Sequence, residues 1–163
     1  MIHIETAIVQ QRATLANLMQ LYLHDLSEYD GDLPDATGLY DLGSYFDLYW
    51  VESTRFPYVI YDGETPVGFA LVREIGERVY SVAEFFVIRP KRKSNIGSQA
   101  AMQLFDKHAG TWHIAQQKEN LAAQAFWKSV IRAYTNDNFK ETWSDTQPAG
   151  PMQIFQTQKR ENN

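Results

Sequence analysis

The chain carries 15 Lys and Arg against 20 Asp and Glu over 163 residues, giving a net charge of -5 and a pI near 5.3. Most of such a surface repels a polyanion, which argues against a nucleic-acid binder, and the absence of cysteine excludes disulfides, thiolate catalysis and thiolate-bound metal. With 44% hydrophobic and 13% aromatic residues, the composition suits one globular domain over residues 1–157, followed by a polar tail at 158–163.

Residues 2–9 predict a first strand, after which Leu15, Leu18, Met19, Tyr22, Leu23 and Leu26 fall at helical spacing. Residues 25–54 hold eight acidic and six aromatic side chains with no Lys or Arg; Gly31, Pro34 and Gly38 mark turns, and residues 42–51 predict a second helix. Residues 58–61, the Asp62-Gly63 turn and residues 66–73 read as a hairpin, with a further strand over 79–88. A helix over 96–108 is expected to end at Gly110, followed by a strand at 111–116, a helix at 120–134 and strands at 139–143 and 152–156. This order predicts an α/β (α+β) domain, with a mixed sheet of about six to seven strands and helices on both faces. The sequence shows neither an apolar run of about eighteen residues nor a cleavable leader pattern, so a cytoplasmic setting with no membrane partner is expected.

Between the strand at 79–88 and the helix at 96–108 lies the stretch RPKRKSNIGS, with Arg89, Lys91, Arg92 and Lys93 clustered at its start. A strand that ends just before a helix leaves backbone N–H groups without partners at the positive end of the helix dipole, a setting that attracts phosphate. Ser94, Asn95, Gly97 and Ser98 are small enough for close approach, while Arg92 and Lys93 supply charge. The alternative is a solvated basic loop with Ser94 as helix N-cap. The letters match neither a P-loop nor a dinucleotide fingerprint, since only Gly97 is present.

Arg92-Lys93-Ser94-Asn95-Ile96-Gly97 matches the pattern Arg/Gln-x-x-Gly-x-Gly/Ala at Arg92 and Gly97, with Asn95 where the first Gly usually stands. On this loop the sequence resembles the GCN5-related N-acetyltransferase (GNAT) family. Asn120-Leu-Ala-Ala123-Gln-Ala-Phe126-Trp127 is similar to the family's Asn-x-x-Ala helix start, and Asn138-Phe139-Lys140-Glu141 to its closing strand start. AEFFVIRPKRK, AFWKSVIRAYT and PMQIF resemble a bacterial subgroup of predicted acetyltransferases. The resemblance spans nearly the whole chain and implies the family fold, with acetyl-CoA as cosubstrate and its pyrophosphate held by Arg92, Lys93, Ser94, Asn95, Ile96, Gly97 and Ser98. It further implies Phe86, Val87 and Ile88 along the pantetheine arm, with a backbone N–H near Val87 polarising the carbonyl. Asn120, Phe126 and Trp127 are implied as cofactor contacts, although Asn120 also reads as a plain N-cap and the two rings as core. Asn tolerates the left-handed backbone that the displaced Gly favours. Trp127 stands where many members carry a tyrosine acid, and an indole N–H has no useful acidity. Tyr134 is the nearby candidate for that role.

The implied reaction is direct attack of a primary amine on the thioester. Glu84, a lone carboxylate in the apolar run 82–88, is the candidate base, with burial expected to raise its pKa; the alternative is a Glu that faces solvent or pairs with an arginine. Tyr29, Asp30 and Asp32 are candidate acceptor contacts, because carboxylates and aromatic faces suit a small cationic amine. His3, His24, His108 and His113 lack ligand spacing and 30–35 lacks the EF-hand order, so no metal is expected. A homodimer is left open. Two other classes remain: a catalytically idle acyl-CoA-binding or regulatory domain, and a protein-interaction module built on the acidic, aromatic segment.

Overall fold

The computed structural model describes residues 1–157; the expected polar tail at 158–163 lies outside them. The strands are β1 (Ile2–Thr6), β2 (Arg55–Asp62), β3 (Thr65–Gly76), β4 (Val79–Val87), β5 (Thr111–Ala115), β6 (Lys140–Ser144) and β7 (Gly150–Gln156), and the helices are α1 (Arg12–Asp30), α2 (Ile96–Lys107) and α3 (Leu121–Thr135). They form a seven-stranded mixed sheet in the order β1-β2-β3-β4-β5-β7-β6. β4 and β5 run parallel, while β1–β2, β5–β7 and β6–β7 are antiparallel.

The chain forms two compact units, one of Met1–Val72 with Ala83–Gly97 and one of Arg73–Val82 with the chain from Ser98 onward. In the first, the apolar face of α1 sets Leu15, Leu18 and Met19 against Val59, Phe69, Leu71 and Phe86. That face follows from the helical spacing of its apolar residues, and α1 stops at Gly31, whose φ of 74° lets its N–H reach the Ser27 carbonyl. In the second unit Phe105 is the hub of an aromatic cluster, its ring centroid 5.0 Å from Trp112, 5.0 Å from Tyr134 and 4.9 Å from Phe155. Burying rings of this size is the main stabilising contribution there.

The helix expected over 42–51 is only a short 3-10 turn, Asp47–Trp50. Gly43 at φ 85° and the Asp41 carboxylate, which accepts the Gly43 N–H at 2.9 Å, hold a turn where helix was expected. Phe46 and Tyr49 nevertheless reach the core. The first strand is also shorter than expected, ending at Thr6 before the 3-10 turn Val9–Gln11. Gly110 serves close approach rather than helix termination, since a Cβ there would lie 2.2 Å from the Arg78 carbonyl oxygen.

Candidate active site

The first unit gathers the carboxylate and the basic loop. Glu84, on β4, is half-buried, and its partners are two tyrosines rather than an arginine. Tyr22 of α1 donates its hydroxyl to Oε2, and Tyr45, from the loop before the 3-10 turn, donates to Oε1 at 3.2 Å. Burial pushes the Glu84 carboxyl up, the two hydroxyls pull it back, and the net position is above the usual glutamate value. Burial, then the neighbouring Glu84 charge, raises the Tyr22 phenol well above its ordinary value and the Tyr45 phenol to about 12. Both tyrosines therefore remain protonated donors at neutral pH.

Sequence reasoning missed Tyr22 as a site residue and noted Tyr45 only as one ring of the acidic segment. A signal was present for Tyr22. It lies on the same helical face as Leu15, Leu18 and Met19, and a tyrosine drawn into a core needs a partner for its hydroxyl. The carboxylate in the apolar run of β4 is that partner.

The basic loop is more neutralised than its letters suggest. Asp25 of α1 accepts from Arg89 at 2.7 Å and from Arg92, while Lys91 meets Asp62 at 2.9 Å. Burial raises the Asp25 carboxyl, but hydrogen bonds from Arg92 and Arg89 outweigh it and hold the group below its usual value. Arg92 also donates through Nε to the Val87 carbonyl at 2.8 Å and lies 5.5 Å over the Phe86 ring. These contacts tie the loop to β4 and α1. Among the described residues, Lys93 is the one cation of the four with no ion pair.

The distinctive feature of the loop is its backbone. Lys93 and Asn95 take left-handed φ values of 60° and 64° on either side of Ser94, a turn geometry that gathers N–H groups, and α2 begins at Ile96 with Gly97 and Ser98 as its next residues. Asn95 thus adopts the conformation favoured by the Gly it replaces. Ser94 does not cap the helix; its hydroxyl donates to the Lys91 carbonyl at 2.6 Å. At the end of β4 the Ile88 N–H donates to Val67 O at 2.9 Å, so that backbone donor is already engaged.

Tyr29 and Asp30 occupy the last turn of α1 and are exposed, as is Asp32, whose N–H is held by Asp30 Oδ1 at 2.9 Å. Asp35 caps its own turn, accepting from Thr37 and Leu39. The charges of Asp30 and Asp41 add the smallest upward contributions at Tyr22 and Tyr45 respectively.

In the second unit, Asn120 is the N-cap of α3, its Oδ1 accepting the Ala123 N–H at 3.0 Å. Phe126 stacks edge-on with Trp127 at 5.0 Å, and Trp127 is buried near Phe105. The Tyr134 hydroxyl donates to Asp106 at 3.0 Å and its ring belongs to the aromatic cluster, which argues against the acid role. Among the described residues, no helix is long and apolar enough to cross a membrane.

The family model described as "Acetyltransferase (GNAT) family" matches residues 15–130. No curated protein matches the chain. Among solved structures, an acetyltransferase from Thermus thermophilus superposes with a TM-score of 0.69 at 12% identity, covering 95% of this chain and 96% of that one. The PaiA N-acetyltransferase from Thermoplasma acidophilum in complex with coenzyme A gives 0.64 at 12% identity, with 94% and 98% covered. An aminoglycoside acetyltransferase, AAC(6')-Ib, in complex with coenzyme A gives 0.64 at 15%, with 96% and 95% covered. At such identities the likeness shows the fold.

Proposed function

The chain belongs to the acetyltransferase (GNAT) family, and from that premise we propose that it moves an acetyl group from acetyl-CoA to a primary amine of a small cationic acceptor, with Glu84 as base. The observation that carries this reading is a half-buried carboxylate with a raised pKa, held by two hydroxyl donors in the same unit as the loop that resembles the family's pyrophosphate loop. Bound acetyl-CoA would supply the thioester, whose C–S bond breaks as the amine nitrogen bonds the carbonyl carbon, the CoA sulfur leaving as a thiolate that takes its proton from solvent. Glu84 removes the proton that the nitrogen must lose, a task suited to a carboxylate tuned toward neutral pH.

Acetyl-CoA fits the loop through the N–H groups gathered around Lys93 and Asn95, the Lys93 charge and the start of α2. Gly97→Val should weaken acetyl-CoA binding at least tenfold, about 1.4 kcal/mol, by blocking close approach of the backbone to an anion. Calorimetry decides it. Unchanged affinity with the fold intact would remove the loop from the site.

For the acceptor, the acidic segment and the aminoglycoside neighbour favour a molecule with more than one positive group, such as a polyamine or aminoglycoside. The triple change of Asp30, Asp32 and Asp35 to Asn keeps the side-chain oxygens that hold the turns while removing three charges. The KM of such an acceptor should rise about fivefold or more at low salt, and the effect should shrink as salt is added. An unaltered KM, or a preferred acceptor that is anionic or uncharged, would discard the assignment.

The buried Trp127 and the engaged Tyr134 hydroxyl favour one second reading, a domain that binds acyl-CoA without turnover. Incubation with acetyl-CoA and a panel of amines separates the two. Release of free CoA above hydrolysis supports the enzyme, and tight binding without release supports the idle domain.

A further inference from the structure

The two hydroxyls on Glu84 differ in packing and in exposure. Tyr22 sits on the long helix α1, partly buried, its ring edge-on to Phe69 at 5.6 Å and 6.0 Å from Phe86. Packing of that kind restrains the ring that carries the hydroxyl. Tyr45 is 37% exposed, stands on the loop that replaces the expected helix, and reaches Oε1 only at 3.2 Å. Its ring rests against Gly43, where a Cβ would lie 2.9 Å from Tyr45 Cε1, so its placement depends on a backbone position at φ 85° that favours glycine.

We propose that Tyr22 and Tyr45 are unequal positioning residues for Glu84: Tyr22 is the fixed donor that orients the carboxylate through Oε2, and Tyr45 is an exchangeable donor holding Oε1 for the acceptor's amine. The inference deepens the reading of Glu84 as base and rests on it. When the amine replaces the Tyr45 hydroxyl at Oε1, the N–H bond breaks, the O–H bond forms on Oε1 and the electron pair stays on nitrogen. Solvent later receives the proton through the side on which Tyr45 is exposed. The groups acting on this cluster are Tyr22 and Tyr45 directly, Asp30 on Tyr22, and Tyr49 and Asp41 on Tyr45.

A hydroxyl donating to a carboxylate favours its ionised form, so removing one raises the pH at which the group loses its proton. The test is a carbon-13 titration of the Glu84 side-chain carboxyl in the whole unliganded protein, paired with acetyl-CoA-dependent kinetics. Tyr22→Phe, which keeps the packed ring, should move the Glu84 midpoint upward by on the order of one pH unit. The acid limb of kcat/KM should move with it, with kcat reduced and the acceptor's KM unchanged. Tyr45→Phe should give the smaller midpoint change and act mainly on the acceptor's KM. Gly43→Ala, which displaces the Tyr45 ring, should reproduce the Tyr45→Phe result. An unmoved midpoint in Tyr22→Phe, or equal shifts in the two tyrosine variants, overturns the proposal. If Glu84→Gln retains wild-type turnover, the base reading fails and takes the proton transfer at Oε1 with it; if Glu84→Gln is inactive while the tyrosine variants titrate and turn over as wild type, the inference alone fails.

Discussion

Glu84→Gln is expected to lower turnover by about 10² to 10⁴-fold, the range for loss of a positioned base, while acetyl-CoA affinity is retained. The amide keeps the shape of the side chain and an oxygen that accepts from a tyrosine, but it cannot take a proton from the amine. In the wild type, activity should rise with pH as Glu84 ionises, over a limb placed above the ordinary glutamate range because burial outweighs the two hydroxyl donors. The Gln variant should lack that limb, and its deficit should shrink at high pH, where more of the amine is already neutral. Stability supplies the control. A carboxyl whose folded pKa lies above its unfolded value costs stability as pH rises from the unfolded value through the folded one. Above that window the Gln variant is relieved of the cost and should melt no lower than the wild type, so its loss of turnover is not unfolding. Wild-type rates near pH 7 in Glu84→Gln would make Glu84 a structural residue.

The parts of this site that were legible in the sequence are those in which local pattern and physics coincide. The alternation around Glu84 and the small residues after Arg92 needed no long-range information, and the structure gives the first a raised pKa and the second left-handed turns at Lys93 and Asn95. What stayed hidden depends on partners distant in sequence. Asp25 lies 67 positions from Arg92 and Tyr22 lies 62 from Glu84, so neither pairing leaves a local trace. The basic loop therefore reads as free charge in the sequence although the structure pairs most of that charge with two aspartates.

The segment 42–51 failed for a different reason. Its apolar residues fall at spacings compatible with a helix, but the left-handed Gly43 and the cap from Asp41 favour a turn, and hydrophobic periodicity does not register either. That failure is informative about the site, because the same turn is what carries Tyr45 to Glu84. A regular helix starting at Leu42 would give Tyr45 a different backbone and leave Oε1 with another neighbour.

A large stability effect is expected from Gly68→Ala on β3. A Cβ at Gly68 would stand 2.1 Å from the Phe86 carbonyl oxygen and 3.1 Å from Val87 Cα, and both are backbone atoms that no side-chain rotation can move. The strands must separate to admit it, at the point where Ile88 N–H donates to Val67 O. Overpacking against backbone with a ladder bond strained beside it should cost about 3 kcal/mol, a large share of the roughly 5 to 15 kcal/mol that holds a domain together. For a chain of this length that lowers Tm by roughly 6 to 12 °C. Glu84 lies two residues before Phe86, so turnover should fall even at temperatures where the variant remains folded, through displacement of the base from its tyrosines. Gly76→Ala, on the same strand, is the internal comparison: its Cβ would meet only the Val79 side chain at 3.5 Å, an ordinary contact, and should leave Tm nearly unchanged. Equal melting of Gly68→Ala and the wild type would show that β3 and β4 are not held as closely as the Phe86 carbonyl implies, and the positioning of Glu84 on β4 would then need another explanation.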